Sequence, residues 1–155
     1  MHIEVLTSAM ELLRKLGQIL MGLALTFAGI AHLTYSRAEF QAQVPTFLHG
    51  QADFVVVASG VVEVVLGLGL VTLWKYRVQI GWVTALYFIA IFPGNISQYL
   101  NGVDAFSLNS DRARALRLLF QPILVVGALW STGAWRARSS SWRSVARRIR
   151  LRREG

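Results

Sequence analysis

The sequence predicts an all-α protein: a bundle of four transmembrane helices, both termini cytoplasmic, followed by a polybasic amphipathic tail. Three observations predict it. Hydrophobic residues make up 54% of the 155-residue chain and charged residues only 15%, where a soluble domain carries about 25% charge. Four stretches reach the roughly 20 mainly apolar residues that a helix needs to cross a hydrocarbon core about 30 Å thick. Eight of the sixteen Lys and Arg fall after Trp135. The net charge of +8 is therefore mostly a property of the tail and argues against a nucleic-acid-binding face. The chain has no Cys, which excludes disulfides, Cys-zinc sites and iron–sulfur clusters held by this chain alone.

The spans read in order as 16–35, 54–74, 80–100 and 115–135. They form one domain, 1–135, with 136–155 as a basic juxtamembrane tail. Helices are expected because a lone strand leaves backbone groups unpaired in lipid, and too few strands are available to close a barrel. The first span exceeds the roughly 7–15 apolar residues of a signal peptide, and no small-x-small cleavage site follows it. It is expected to stay attached. The short loop Lys75–Gln79 makes the second and third spans antiparallel neighbours. A faint likeness between Gly22–His32 and Gly60–Gly69 reads as shared membrane composition.

Orientation follows from Lys and Arg in the short loops. Arg14, Lys15, Lys75, Arg77 and the eight tail Arg lie on one side, with Arg37, Arg112, Arg114 and Arg117 on the other. The richer side is expected to be cytoplasmic, in a plasma (inner) membrane. Trp74, Trp82, Trp130 and Trp135 cluster near that side, as interfacial anchors do.

The polar residues inside the spans carry the functional signal. A carboxylate at the bilayer centre costs about 2.5–3.5 kcal/mol on insertion scales, so it usually faces the bundle interior. Glu63 is the only acid within these four spans. Ser59, Glu63 and Gly67 repeat every four residues and share a face. His32 shares its face with Leu25, Ala28 and Gly29. Asn95 and Gln98 follow Pro93, which frees the carbonyl of Ile89, and Gln121 precedes Pro122, which frees that of Leu118. Arg117 and Gln121 sit one turn apart. All of these fall within about 5–14 Å of the outer boundary by helical rise.

His32, Glu63, Asn95, Gln98, Arg117 and Gln121 are thus the candidates for ligand binding or proton handling. They predict an outward-facing polar pocket with Glu63 at its floor and His32 and Asn95 near its mouth. The competing reading is a structural network, with Glu63 bonded to His32 or paired with Arg117. An unsolvated Glu63 would be neutral and a paired one ionised. One His and one Glu are too few for a metal site, and no nucleotide loop or catalytic triad order is present. No catalytic residue is assigned.

The tail spaces Trp142, Val145 and Ile149 three and four apart, an apolar stripe on a helix. Arg143, Arg147, Arg148 and Arg150 surround it. Together with Trp142 they are candidates for binding anionic lipids or a partner protein. A disordered topology signal is the competing reading.

Four motifs add a resemblance. FAGIAHL (Phe27–Leu33), QVP (Gln43–Pro45), SGVVEVVLGLGL (Ser59–Leu70) and FPGN (Phe92–Asn95) resemble, in order and spacing, the DoxX-like family of four-helix membrane proteins. The likeness covers roughly the first 100 residues. It departs at Leu33, often Phe in that pattern, and at Gly94, often Ala. The resemblance implies a four-helix bundle in which His32, Glu63, Pro93 and Asn95 occupy characteristic positions. Some relatives belong to thiosulfate–quinone or other membrane oxidoreductase assemblies, and more distant ones assist receptor assembly.

The leading expectation is an accessory membrane subunit of a redox system with a quinone in the pocket. No cofactor is evident in the chain itself, so a membrane or soluble redox partner must carry electrons. The alternative is a non-enzymatic assembly or interaction subunit. A small transporter or proton pathway ranks third, because Gln18 and Gln79 are nearly all the polarity in the inner half. A homo-oligomer is compatible with each.

Overall fold

A computed structural model describes residues 2–41, 43–105 and 110–137. Among these the chain is helical without strands. Five α-helices follow in order: α1 (His2–Leu33), α2 (Arg37–Gln41), α3 (Ala52–Thr72), α4 (Arg77–Leu100) and α5 (Asp111–Ser131). Short 3-10 helices, Thr46–Gln51 and Trp74–Tyr76, precede α3 and α4. Four helical segments are long and apolar enough to cross a membrane: Ile3–Leu33, Thr46–Thr72, Trp74–Leu100 and Asp111–Ser131. The end of the bundle carrying α2 is called upper here, and the end carrying Trp74–Tyr76 is called lower.

The helix ends differ from the expected spans for a physical reason. Apolar length measures what lipid can cover, whereas a helix runs on wherever backbone bonding is uninterrupted. α1 starts at His2, well ahead of Leu16, through a segment rich in Leu, Met and Glu, all good helix formers. Its 32 residues span about 48 Å at the usual rise, more than the hydrocarbon core needs. Stops and starts are built locally. Ser110 caps α5 by accepting from the Ala113 amide at 3.2 Å, the usual service of an N-cap serine. Gly102, two residues past the end of α4, takes φ +62°. The Gly102 amide donates to the Tyr99 carbonyl and the Val103 amide to that of Gln98, a Schellman closure that favours glycine.

The bundle is built from two intimate pairs. α1 packs most extensively on α3, and α4 on α5, while α3 touches α4 and α1 touches α5 more lightly. The short turn between α3 and α4 makes them sequential neighbours but does not make them the main packing partners. Glycine decides the α1–α3 choice. A Cβ at Gly22 would lie 2.7 Å from the Gly67 carbonyl oxygen, and one at Gly29 only 2.5 Å from that of Gly60. The reciprocal positions are as tight. Backbones this close require residues without side chains, as at small-residue helix crossings in membranes. The likeness between Gly22–His32 and Gly60–Gly69 is therefore more than composition: the two segments are opposite faces of one antiparallel seam.

The apolar core gathers Leu25, Leu66, Leu70, Ala85, Phe88, Ala128, Leu129 and Ala134. At the lower end, a Cβ on Gly81 would collide with the Thr132 side chain, so α4 and the end of α5 also lie nearly in backbone contact. Gln18, almost fully buried, donates to the Leu70 carbonyl at 2.7 Å. Its amide nitrogen is thus committed to joining α1 to α3. At the upper end, Arg37 holds Asp53 through two guanidinium nitrogens, one at 2.7 Å. That carboxylate holds the Arg37 guanidinium above its ordinary range. Arg114 bridges Asp104 at 2.6 Å and Asp111 at 2.7 Å.

Candidate functional site

The polar residues of the upper half converge because helical spacing carries them to inward faces. His32 closes α1, Glu63 lies midway along α3, and Tyr87 and Asn95 flank the Pro93 region of α4. Arg117 and Gln121 share one turn of α5. His32 Nδ1 lies 2.7 Å from Glu63 Oε2. The other carboxylate oxygen, Oε1, accepts from the Tyr87 hydroxyl at 2.8 Å. Ser59, one turn above Glu63, donates to the Val56 carbonyl at 2.9 Å. Glu63 and His32 retain 5% and 6% of their surface exposed, so this acid is held by side chains rather than by bulk water. Phe40 of α2 packs edge-on against the His32 ring.

A second group sits alongside. Asn95 donates to Gln121 Oε1 at 2.9 Å, and Gln121 donates to the Phe88 carbonyl at 2.7 Å. The amide thus bridges α4 to α5 beside the proline-interrupted turn. Arg117 donates to Gln43 Oε1 at 2.9 Å and lies near enough to Glu63 for the two charges to interact.

These groups border a cleft of about 1240 Å³. Its walls are mainly apolar: Leu20, Met21, Ala24 and Ala28 of α1, Val55 and Val56 of α3, Phe88 and Ile91 of α4, and Leu116, Phe120 and Leu124 of α5. The 43–48 segment also lines it, from above. That segment is seated firmly. Val44 is buried, and a Cβ on Gly94 would come within 2.5 Å of the Gln43 carbonyl oxygen. Glycine at position 94 is what lets the segment lie on α4.

The structure sorts the residues singled out from the sequence. His32, Glu63, Asn95, Arg117 and Gln121 all line the cleft. Gln98 does not: it is buried and donates to the Val103 carbonyl at 3.3 Å, fastening the turn after α4. His32 and Asn95 are buried rather than placed at an open mouth. Glu63 takes His32 as its direct partner, and Arg117 reaches Gln43. Ser59 shares the cleft with Glu63, but Gly67 turns to α1 instead, because one turn further along α3 the inward face meets the glycine seam. Tyr87 was not among the sequence candidates. An aromatic in a span usually packs or anchors, and only the position of Glu63 on the neighbouring helix reveals its hydroxyl as a donor. Gln43 was legible only as part of a motif. The tail candidates Trp142, Arg143, Arg147, Arg148 and Arg150 lie outside the described residues.

Chemically, the arrangement offers a carboxylate flanked by a phenol and an imidazole at the side of an apolar chamber. Such a chain can exchange or hold a proton and can bond a carbonyl or hydroxyl of a ligand. The asparagine–glutamine pair adds donors and acceptors, and Arg117 adds a positive charge.

Residues 21–132 match a family described as a domain of unknown function, DUF8561. The matched stretch contains every residue of the polar cluster. No curated protein matches the chain, and no solved structure matches it.

Proposed function

We propose that this chain, which belongs to the family described as domain of unknown function DUF8561, is a small accessory membrane subunit of a quinone-linked redox system. One observation carries the reading. The Glu63 carboxylate, accepting from Tyr87 and in close contact with His32 Nδ1, is buried beside a large, mostly apolar cleft. A quinone matches that polarity, with two carbonyls on a small ring and a long apolar chain. His32 and Asn95 would hold its carbonyls, and the Glu63 carboxylate, fixed by Tyr87, would hold or pass a proton. A bound quinone would supply the redox chemistry; electrons would come from a partner protein. The motif resemblance to the DoxX-like family points the same way. The reading includes a plasma-membrane location with both termini cytoplasmic, and a tail lying on anionic lipid, which accord with the distribution of Lys and Arg.

The test is titration of the purified protein in mild detergent with a decyl-benzoquinone. Glu63→Gln keeps the shape but removes the charge, and is expected to weaken binding at least tenfold, roughly 1.4 kcal/mol. Equal binding by both proteins, or by neither, rejects the reading.

A second reading has its own observation. In the first turns of α1, Ile3, Leu6, Met10 and Leu13 are exposed at three- and four-residue spacing. This is a stripe able to meet another helix, as an assembly subunit requires. Co-purifying partners that vanish when residues 2–13 are removed, in a protein that binds no quinone, would favour it.

A further inference from the structure

The α1–α5 seam has two different halves. At the lower end the helices touch. A Cβ on Gly17 would lie 3.5 Å from Ser131 Cβ, and one on Gly127 would lie 3.1 Å from the Met21 methyl. These two contacts fix an antiparallel register. Continued upward, that register sets Ala24 opposite Leu124 and Ala28 opposite Phe120. Those residues line the cleft. Ala24 and Phe120 are exposed at that level, whereas Gly17 and Met21 are not, so the helices part above Met21 and Gly127, leaving a wedge along faces that have the spacing to pack.

Exposure shows which wall of the wedge is missing. The α3 side has no exposed lining residue, and α4 contributes the buried Phe88 and Asn95 beside the exposed Ala90 and Pro93. The upper end carries the 43–48 segment, fixed by Gly94 and by the Arg117–Gln43 bond. On the α1 and α5 sides, lining residues remain open: Leu20 at 66%, Leu116 at 59% and Phe120 at 56%, with Ala24 also exposed. These residues fall within segments long and apolar enough to cross a membrane. At that depth an open side faces hydrocarbon.

We propose that the wedge between α1 and α5 is a lateral portal through which a single-chain amphiphile enters from the bilayer. Its small hydrogen-bonding head rests on the Glu63 cluster, and its chain lies between Ala24 and Phe120. The inference rests on reading the cleft as a ligand site, but not on the head being a quinone. Lipid solvates an apolar chain as well as the wedge does. The mark of the portal is therefore the position of the chain rather than a gain in affinity.

The test places the full chain in phosphatidylcholine vesicles with two photoreactive probes. One is a benzoquinone and the other a primary alcohol, each on a decyl chain ending in a diazirine. Irradiation and peptide mapping are expected to find adducts on Leu20, Ala24, Leu116 and Phe120 about fivefold above those on Phe27 and Ile123. The latter pair lies outside the cleft lining with similar exposure, 67% and 61%, so it reports contact with bulk lipid. The absence of native cysteine allows a clean staple. A28C/F120C joined by a short reducible linker should abolish the enrichment, and reduction should restore it. G17C/S131C, placed where the Cβ separation already suits a disulfide, should leave it intact. Even labelling of wedge and lipid-facing positions overturns the portal, as does enrichment that survives the A28C/F120C staple. Enrichment with the alcohol but not the quinone supports the portal and sinks the quinone reading alone. Quinone binding in detergent with neither probe enriched in the wedge sinks the portal alone.

Discussion

Glu63 is the residue on which the upper half of the bundle turns. It accepts from Tyr87 and contacts His32, so its removal leaves the buried His32 ring and the half-buried Tyr87 hydroxyl without that partner. Each such orphan costs about 1–3 kcal/mol. Glu63→Ala is therefore expected to lower stability by several kcal/mol in chemical unfolding from detergent micelles. Tyr87→Phe, which leaves the His32 contact, is expected to cost only about 0.5–1.5 kcal/mol. If the two variants unfold alike, the carboxylate does not join the three helices as described. Glu63 itself was legible in the sequence, because the one acid inside four apolar spans must find company. Its partners were only partly so. His32 sits at the right depth and on a plausible face, but the choice between His32 and Arg117 depends on helix placement, which periodicity does not contain. Tyr87 illustrates the harder case, since nothing within α4 distinguishes its hydroxyl from that of an interfacial tyrosine.

At the scale of elements, glycine sets which helices pair. The seam of Gly22 and Gly29 against Gly67 and Gly60 draws α1 and α3 into backbone contact. Gly29→Leu has no void to fill. It is expected to cost at least the roughly 1–3 kcal/mol typical of overpacking, read as lost monodisperse protein in detergent. Gly50→Leu, at a position where an added Cβ meets nothing within 4 Å, is the contrasting control and should behave as wild type. Equal yields would deny the seam its role. The four apolar stretches were fully legible, since their length and composition follow from the thickness of the hydrocarbon core. The pairing was not. Loop length made α3 and α4 neighbours, which they are, but a short turn does not set which two helices pack most closely. Small residues decide how closely their backbones approach, and the four seam glycines became meaningful only when set against each other.

For the whole molecule, polarity is divided between the two ends. The lower half is packed closely through Gly81, Thr132 and the Gln18–Leu70 bond, whereas the upper half parts around the cleft. The long α1 begins at the lower end, and α5 ends there. Single cysteines placed at Glu4 and at Gly155, in a chain without native cysteine, are expected to react with a membrane-impermeant maleimide only after cytoplasmic access is opened. A cysteine at His49 should react from outside without it. Labelling of the two termini from opposite sides would break the even number of crossings. The asymmetry also explains why the candidate ligand site was legible by depth although its geometry was not. The only acid and most of the large polar side chains gathered toward one end of the spans, but whether they filled a network or bordered a cleft depended on the parting of α1 from α5.

The central claim is that the Glu63 cluster and its cleft hold a quinone rather than serving only to join helices. The most direct test is to purify the chain from native membranes in mild detergent and identify its bound small molecules by solvent extraction and mass spectrometry. The account predicts a near-stoichiometric quinone with the wild-type protein and at least tenfold less with folded Glu63→Gln. Wild-type protein carrying only phospholipid, or a quinone content unchanged by Glu63→Gln, would contradict it.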